Sequence, residues 1–278
     1  MMGARREARD ALAAAGLRPR KRWGQHFLCD PAVAHRIVET ADVGPRSVVL
    51  EIGPGLGALT DELAGRAGRL YLVEVDPGLA ARLADRFREN PRVRVVEGDV
   101  LEVDLDHLVA EPSVTVVGNL PYNIAVPILF RLRELRSRLP RAVVMLQREV
   151  GERLVARPAT ADYGVTSVLI QVVADVRLAF RVSRRSFMPP PRVESAVVDV
   201  RWSTRPRVDV GDEEAFREVV RAAFGQRRKM LRNALATLAT RRGVDVEQAC
   251  ARAGVAPSAR AETLDLAAFG RLARALEA

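Results

Sequence analysis

The alternation of short apolar runs with amphipathic stretches between residues 47 and 146 most limits the folds open to this chain. Runs at 47–52, 69–75, 92–96, 114–118 and 142–146 have strand length and are rich in Val and Leu. Leu59, Leu63 and Ala64 follow the first run at helical spacing, Asp76-Pro77 opens a helix after the second, and Ile128, Leu129, Leu132 and Leu135 mark one after the fourth. Strands alternating with helices specify an α/β fold of βαβ units, with a mainly parallel sheet and helices on both faces. Upstream, residues 7–15 read as a short helix, and Asp30-Pro31 supplies a capping carboxylate and a first-turn proline for another. Beyond the fifth run the pattern shifts. Residues 163–174 read as helix, and 175–182 and 196–202 as a last pair of strands around Phe187-Met188-Pro189-Pro190-Pro191. From Thr204 onward every periodic stretch is helical: 212–224, 229–240, 244–253 and 266–276. The predicted organisation is a basic N-terminal arm at 1–22, a Rossmann-like domain at 23–203 and a helical domain at 204–278.

A chain of 278 residues can bury one sizeable core and a smaller one. Its formal net charge of +9 is unevenly placed. Residues 1–22 hold seven basic and two acidic side chains, residues 205–278 hold fourteen and ten, and the stretch between has 23 of each. A neutral body with two basic ends points to a polyanion gripped from outside the catalytic part; solvated charged faces are the competing reading. Cys29 and Cys250 form no spacing pattern for a disulfide framework or a metal site, which fits a reducing, cytoplasmic setting with no metal. The first residues lack an apolar signal-peptide core, and no uncharged apolar run reaches membrane-spanning length. Neither a secretory signal nor a membrane segment is expected.

The first predicted strand runs into Gly53-Pro54-Gly55-Leu56-Gly57, a loop that lets something approach the backbone closely. Dinucleotides, sulfonium cofactors and plain tight turns all use such loops. Glu51 narrows the choice, because a carboxylate there opposes a pyrophosphate and favours a cationic ligand. S-adenosylmethionine carries both an ammonium and a sulfonium. The glycine spacing also departs from the dinucleotide fingerprint. Glu74, near the end of the second strand, is placed to accept from a ribose diol, and Asp99, after the third, from an adenine amine. A helix cap is the competing reading of each acid alone, but three acids ending three successive strands form a methyltransferase-type cofactor site. The fourth strand feeds Asn119-Leu120-Pro121-Tyr122. The Asn119 amide oxygen and the Leu120 carbonyl accept hydrogen bonds, Pro121 fixes the backbone, and Tyr122 presents a flat ring. Two acceptors beside an aromatic face suit a planar base with an exocyclic amine.

Further motifs stand along the chain: Lys21-Arg22-Trp23-Gly24-Gln25-His26-Phe27-Leu28, Gln147-Arg148-Glu149-Val150, Tyr163-Gly164, Phe187 through Ala196, and Phe224-Gly225-Gln226-Arg227-Arg228-Lys229. Together with Glu51 to Gly57 and Asn119 to Asn123 they resemble the ribosomal small-subunit RNA adenine dimethyltransferases, through nearly the whole chain. The resemblance implies a class I S-adenosylmethionine methyltransferase fold with a small helical C-terminal domain that binds RNA. It implies dimethylation of N6 on each of two adjacent adenosines near the 3′ end of 16S rRNA and a part in small-subunit biogenesis. The chain is expected to act as a monomer. Cofactor contacts are implied at His26, Leu28, Gly53, Glu74, Asp99 and Asn119, with Gln25, Glu51 and Gly55 counted in the same set. One position departs from the family: His26 stands where asparagine is usual, and a charged imidazole would disfavour a cationic cofactor at low pH. Tyr122 is expected to stack on the target base, with Phe187 a candidate for the opposite face or else a hydrophobic plug. Arg227, Arg228, Lys229 and Arg232 read as a phosphate-facing helix start, and Arg20, Lys21 and Arg22 as a second phosphate contact. The related macrolide-resistance methyltransferases of large-subunit RNA usually show Ile where Leu120 stands and lack the triple proline. They remain the nearest alternative, and a non-catalytic RNA-binding assembly factor is the alternative from another class.

Overall fold

The computed structural model describes residues 2–14, 16, 18–20, 23–109, 111–226 and 228–277. In chain order its elements are α1 (Met2–Ala14), β1 (Phe27–Leu28), α2 (Pro31–Ala41), β2 (Val48–Ile52), α3 (Thr60–Arg66), β3 (Arg69–Glu74), α4 (Pro77–Arg86), β4 (Val93–Glu97), α5 (Leu105–Leu108), β5 (Thr115–Asn119), α6 (Ala125–Glu134) and β6 (Arg141–Gln147). There follow α7 (Arg148–Leu154), α8 (Val165–Gln171), β7 (Ala174–Val182), β8 (Phe187–Met188), β9 (Ser195–Trp202), α9 (Glu213–Gly225), α10 (Leu231–Ala234), α11 (Ala236–Arg241), α12 (Val246–Ala253) and α13 (Leu266–Ala275). Aspartates set many of the helix starts by accepting from backbone N–H groups that the first turn leaves unpaired. Asp30 caps α2, Asp76 caps α4 and Asp212 caps α9. In α2 and α4 a proline then occupies the first turn.

The chain divides into two compact units, Met1–Gly151 with Val176–Trp202, and Glu152–Asp175 with Ser203–Ala278. The first contains a seven-stranded sheet in the order β4-β3-β2-β5-β6-β9-β7. Its strands β4, β3, β2, β5 and β6 pair in parallel, and β9 joins β6 antiparallel. Ile37, Val38, Leu63, Val117, Val143 and Val197 share a core between α2, α3 and one sheet face. Strand order reverses between β2 and β5, and open α/β sheets bind ligands at the carboxyl ends of the strands flanking such a reversal. Gly118 is placed opposite Ile52 there, and a Cβ on it would lie 2.7 Å from the Ile52 carbonyl oxygen. Gly118→Ala should therefore push the two strands apart and cost about 1–3 kcal/mol, a cost typical of overpacking. Chemical denaturation checks this, and an unchanged midpoint would contradict it.

Three sequence expectations need correction. The helix expected at 7–15 begins earlier, at Met2, and this part of the basic arm is docked on the first unit: Arg5 donates to the Phe187 carbonyl at 2.9 and 3.1 Å, and Leu12 is buried with Phe27 and Leu79. Residues 152–175 group with the helical unit, although the sequence reading places them in the Rossmann-like domain. The cause is α8, whose Val168, Leu169 and Ile170 are all buried, while Gln171 ties back to the Leu154 and Ala156 carbonyls at 2.8 Å. The single helix expected at 229–240 is two short ones, α10 and α11, meeting at Leu235. Within the second unit Tyr163, Phe224 and Phe269 form an aromatic row, with centroids 6.1 and 5.7 Å apart.

Candidate active site

Two adjoining clefts open at the carboxyl end of the sheet, on either side of Gly53. The first has about 710 Å³ of empty space, part of it open to solvent, and gathers Gln25, His26, Glu51, Gly55, Glu74 and Asn119. Leu28, Leu120, Pro121 and Tyr122 also line it. The second contains Asp99 with Gly98 and Val100 on one side and Ile124 and Ile128 on the other. Trp23 borders both clefts.

The glycine loop is built for close approach. Gly53, Gly55 and Gly57 all have positive φ, at 65°, 58° and 91°. A side chain on Gly55 would also lie 3.1 Å from the Phe27 ring. Glu74 anchors the loop, its two oxygens accepting from Gly55 N and Asp76 N, each at 2.9 Å. Burial raises the Glu74 carboxyl, and the two backbone donors pull it back in part. Glu51 is more extreme. It is buried at the end of β2, and burial, with Glu74 and Asp61 adding repulsion, pushes it up to about 8 against an offset from nearby Thr60. Its Oε2 has no hydrogen-bond partner among the described residues. A buried carboxylate oxygen without a partner is costly unless something cationic meets it, which is the chemistry an α-ammonium supplies. The donor set therefore fits S-adenosylmethionine. Asp99 accepts from Leu101 N at 2.9 Å through Oδ1, leaving Oδ2 for a further donor.

Asn119 ends β5, and its Nδ2 donates to the His26 carbonyl at 2.8 Å. A carbonyl only accepts, so the amide can take only one orientation and Oδ1 becomes its remaining acceptor. Among the described residues neither this oxygen nor the Leu120 carbonyl has a partner. His26 is fixed in turn by its Nδ1, which donates to the Pro189 carbonyl at 2.8 Å. Tyr122 stands beside it, ring centroids 5.4 Å apart and tilted 30°, with its hydroxyl 2.5 Å from Ser195 Oγ.

Several predicted residues sit elsewhere or act through other atoms. Phe187 lines neither cleft. Its side chain is buried in the core with Leu28 and Phe180, because β1 and β8 pair Leu28 with Phe187 and turn both side chains inward. It is the hydrophobic plug and cannot cover a base. Leu28 likewise sends its side chain to the core, so only its backbone is offered to the cleft. Both ends of the Gln25 amide are engaged, Nε2 by Asp76 at 3.3 Å and Oε1 by Arg20 N at 2.7 Å. Arg20 lies 4.6 Å over the Trp23 ring and 3.9 Å from Asp76, at the rim of the cleft. Lys21, Arg22 and Arg227 lie outside the described residues. Arg228 and Lys229 are exposed in the turn before α10, and Arg232 lies 4.0 Å from Glu247. The start of α10 is not open to a phosphate, since Leu231 N and Arg232 N already donate to the Ala259 and Pro257 carbonyls. Sequence reasoning missed the bond of Asp76 to Gln25, the place of Trp23 beside both clefts and the bond of Ser195 to Tyr122. Asp76 looked like a mere cap, and the other two residues were inside quoted motifs but carried no chemistry of their own.

A mainly parallel sheet, a glycine loop at its switch point and a buried carboxylate poised for a cation define a class I S-adenosylmethionine-dependent methyltransferase. The chain belongs to the ribosomal RNA adenine dimethylase family, which it matches over residues 16–277. It is 45% identical over 271 residues to the ribosomal RNA small subunit methyltransferase A of Moorella thermoacetica, covering 94% of each chain. It is 46% identical over 267 residues to that of Geobacter metallireducens, covering 95% of this chain and 97% of the relative. Among solved structures, a dimethyladenosine transferase from Plasmodium falciparum superposes with a TM-score of 0.75 at 24% identity, over 89% of this chain and 96% of its own. The 23S rRNA methyltransferase ErmE superposes with a TM-score of 0.68 at 30% identity, over 91% of this chain and all of its own. No helix among the described residues is long and apolar enough to cross a membrane, and no group of three His, Cys, Asp or Glu is placed there to hold a metal ion.

Proposed function

We propose that this enzyme, acting in the cytoplasm as a monomer, places two methyl groups on N6 of each of two adjacent adenosines near the 3′ end of 16S rRNA. The observation that carries the proposal is a pair of acceptors at the end of β5 with no partner among the described residues, Asn119 Oδ1 and the Leu120 carbonyl, the first of them fixed through Nδ2 by the His26 carbonyl. An adenine amine is a weak nucleophile because its lone pair is delocalised into the ring. Accepting both N–H bonds draws the nitrogen toward tetrahedral geometry and directs the lone pair away from the two acceptors. Bound S-adenosylmethionine supplies an electrophilic methyl on a sulfonium. Glu51 would meet the ammonium, Glu74 the ribose and Asp99 the adenine amine of that cofactor. Tyr122 would stack on the extruded target base, worth roughly 1–3 kcal/mol. No general base is required if the proton leaves after transfer, so positioning and electrostatics provide the acceleration.

The small-subunit assignment is supported by relatives named for that subunit at about 45% identity, against 30% for ErmE. Incubation with radiolabelled S-adenosylmethionine and separated ribosomal subunits tests it. Label should enter the small subunit, and label on the large subunit alone would overturn the reading in favour of the ErmE-like activity. Arg228 and Lys229 are the exposed cations proposed to meet RNA phosphate in the helical unit. Replacing both by alanine should weaken RNA binding regardless of sequence and flatten the log–log salt dependence by about 1–2, measured by filter binding between 50 and 200 mM salt. An unchanged slope removes them from the interface.

A further inference from the structure

Ser195 opens β9 opposite Gln147 of β6, fully buried among Ala196, Val197 and Val198. A hydroxyl in such surroundings is costly to bury without a partner, and its partner is the Tyr122 hydroxyl at 2.5 Å. The same ring has the His26 ring beside it, centroids 5.4 Å apart and tilted 30°, and His26 is itself tied to the Pro189 carbonyl at 2.8 Å. A base inserted between two rings needs them roughly 7 Å apart, twice a van der Waals stacking distance. The His26–Tyr122 gap is too narrow for that. Tyr122 is therefore held at its hydroxyl end by Ser195 with His26 beside the ring, and a base that stacks on Tyr122 cannot enter between the two rings.

We infer that Ser195 is a positioning residue for the reaction, acting through Tyr122: its hydroxyl pins the far end of the ring before RNA arrives, while the neighbouring His26 ring limits rotation about the ring's long axis, so that the incoming adenine meets a ring already placed beside Asn119 and Leu120. This rests on the proposal that Tyr122 stacks on the target adenine. Without the hydroxyl the ring is free to swing about its first side-chain torsion, and part of the alignment must be regained on binding. Nothing in the sequence singles Ser195 out, since serine opening a buried strand is ordinary; only the contact with Tyr122 does so.

The test is a double-mutant cycle on the full chain with small subunits as substrate, comparing Ser195→Ala, Tyr122→Phe and their combination. Each single variant should lower kcat/KM for RNA by about tenfold, and the double variant by no more than either alone, because both remove the same bond. KM for S-adenosylmethionine should stay within about twofold, since the cofactor's side of the cleft is untouched. Tyr122→Phe deletes the bond without altering β9, so the inference survives scrutiny even if Ser195→Ala folds poorly. RNA carrying 2-aminopurine at the target position gives a second readout: its fluorescence, quenched on stacking in the wild type, should stay higher in both single variants. A Ser195→Ala enzyme with wild-type kinetics, or a double variant whose loss is the product of the singles, overturns the inference. Tyr122→Ala separates this from the underlying reading. If it abolishes turnover while the singles simply multiply, Ser195 alone loses its role; if it methylates normally, the stacking proposal falls as well.

Discussion

Replacing Asn119 by alanine should lower kcat by roughly 10²–10³-fold, the loss seen when one preorganised polar contact to a reacting centre is removed. Binding of S-adenosylmethionine, followed by isothermal titration, should change far less. The side chain meets the target amine through Oδ1, while its Nδ2 is committed to the His26 carbonyl. Asn119→Asp makes the sharper comparison. It keeps an acceptor but removes the donor, setting a carboxylate against a carbonyl oxygen, so it should be as impaired as alanine. If the aspartate variant retained wild-type turnover, orientation by His26 would have no catalytic weight.

The second large effect belongs to Glu51. Its carboxyl, pushed from an ordinary 4.5 up to about 8, is mostly protonated at pH 7 until a cation arrives. Meeting the cofactor's ammonium requires it to ionise, so binding at pH 7 should release up to one proton. Titration calorimetry in buffers of different ionisation enthalpy measures that release, and identical enthalpies across buffers would refute it. Glu51→Gln should abolish the release and weaken cofactor binding by about 2–3 kcal/mol, the usual loss when one partner of a desolvated charge pair is removed. The stability effect has the opposite sign. A carboxyl whose pKa is higher in the folded than in the unfolded state holds an extra proton when folded between those two values. It therefore removes stability as pH rises from about 4.5 to 8. The glutamine variant should lose that pH dependence and unfold at a higher temperature than the wild type at pH 8.

Residues whose placement at the clefts follows from position along a strand were legible in the sequence. Glu51, Glu74, Asp99 and Asn119 each end or follow a strand, and alternation with helices sets those ends on one side of the sheet. Local caps such as Asp30 and Asp76 were equally readable, because capping depends on neighbours a few residues away. What escaped depends on contacts between distant segments. Two residues each are too few to show a strand period, so β1 and β8 left no trace, and with them went the direction in which Phe187 points. The affinity of 152–175 for the helical unit is carried by an apolar helix that would be equally at home against a sheet. Arg228 and Lys229 are exposed as expected, but the helix they were to open starts later, its first N–H groups taken by carbonyls some 25 residues further on.

The ribbon of β1 and β8 also bears on how the enzyme is made. Phe27 pairs with Met188, Arg5 with the Phe187 carbonyl, and His26 with Pro189, so the floor of the cleft joins segments about 160–180 residues apart. Ribosomal synthesis delivers those halves at different times, and long loops must close before such contacts form. A nascent chain that has passed β6 already has five parallel strands and the glycine loop, yet its first 28 residues still lack their pairing strand. The β1–β8 ribbon is thus complete only after β8 has been synthesised.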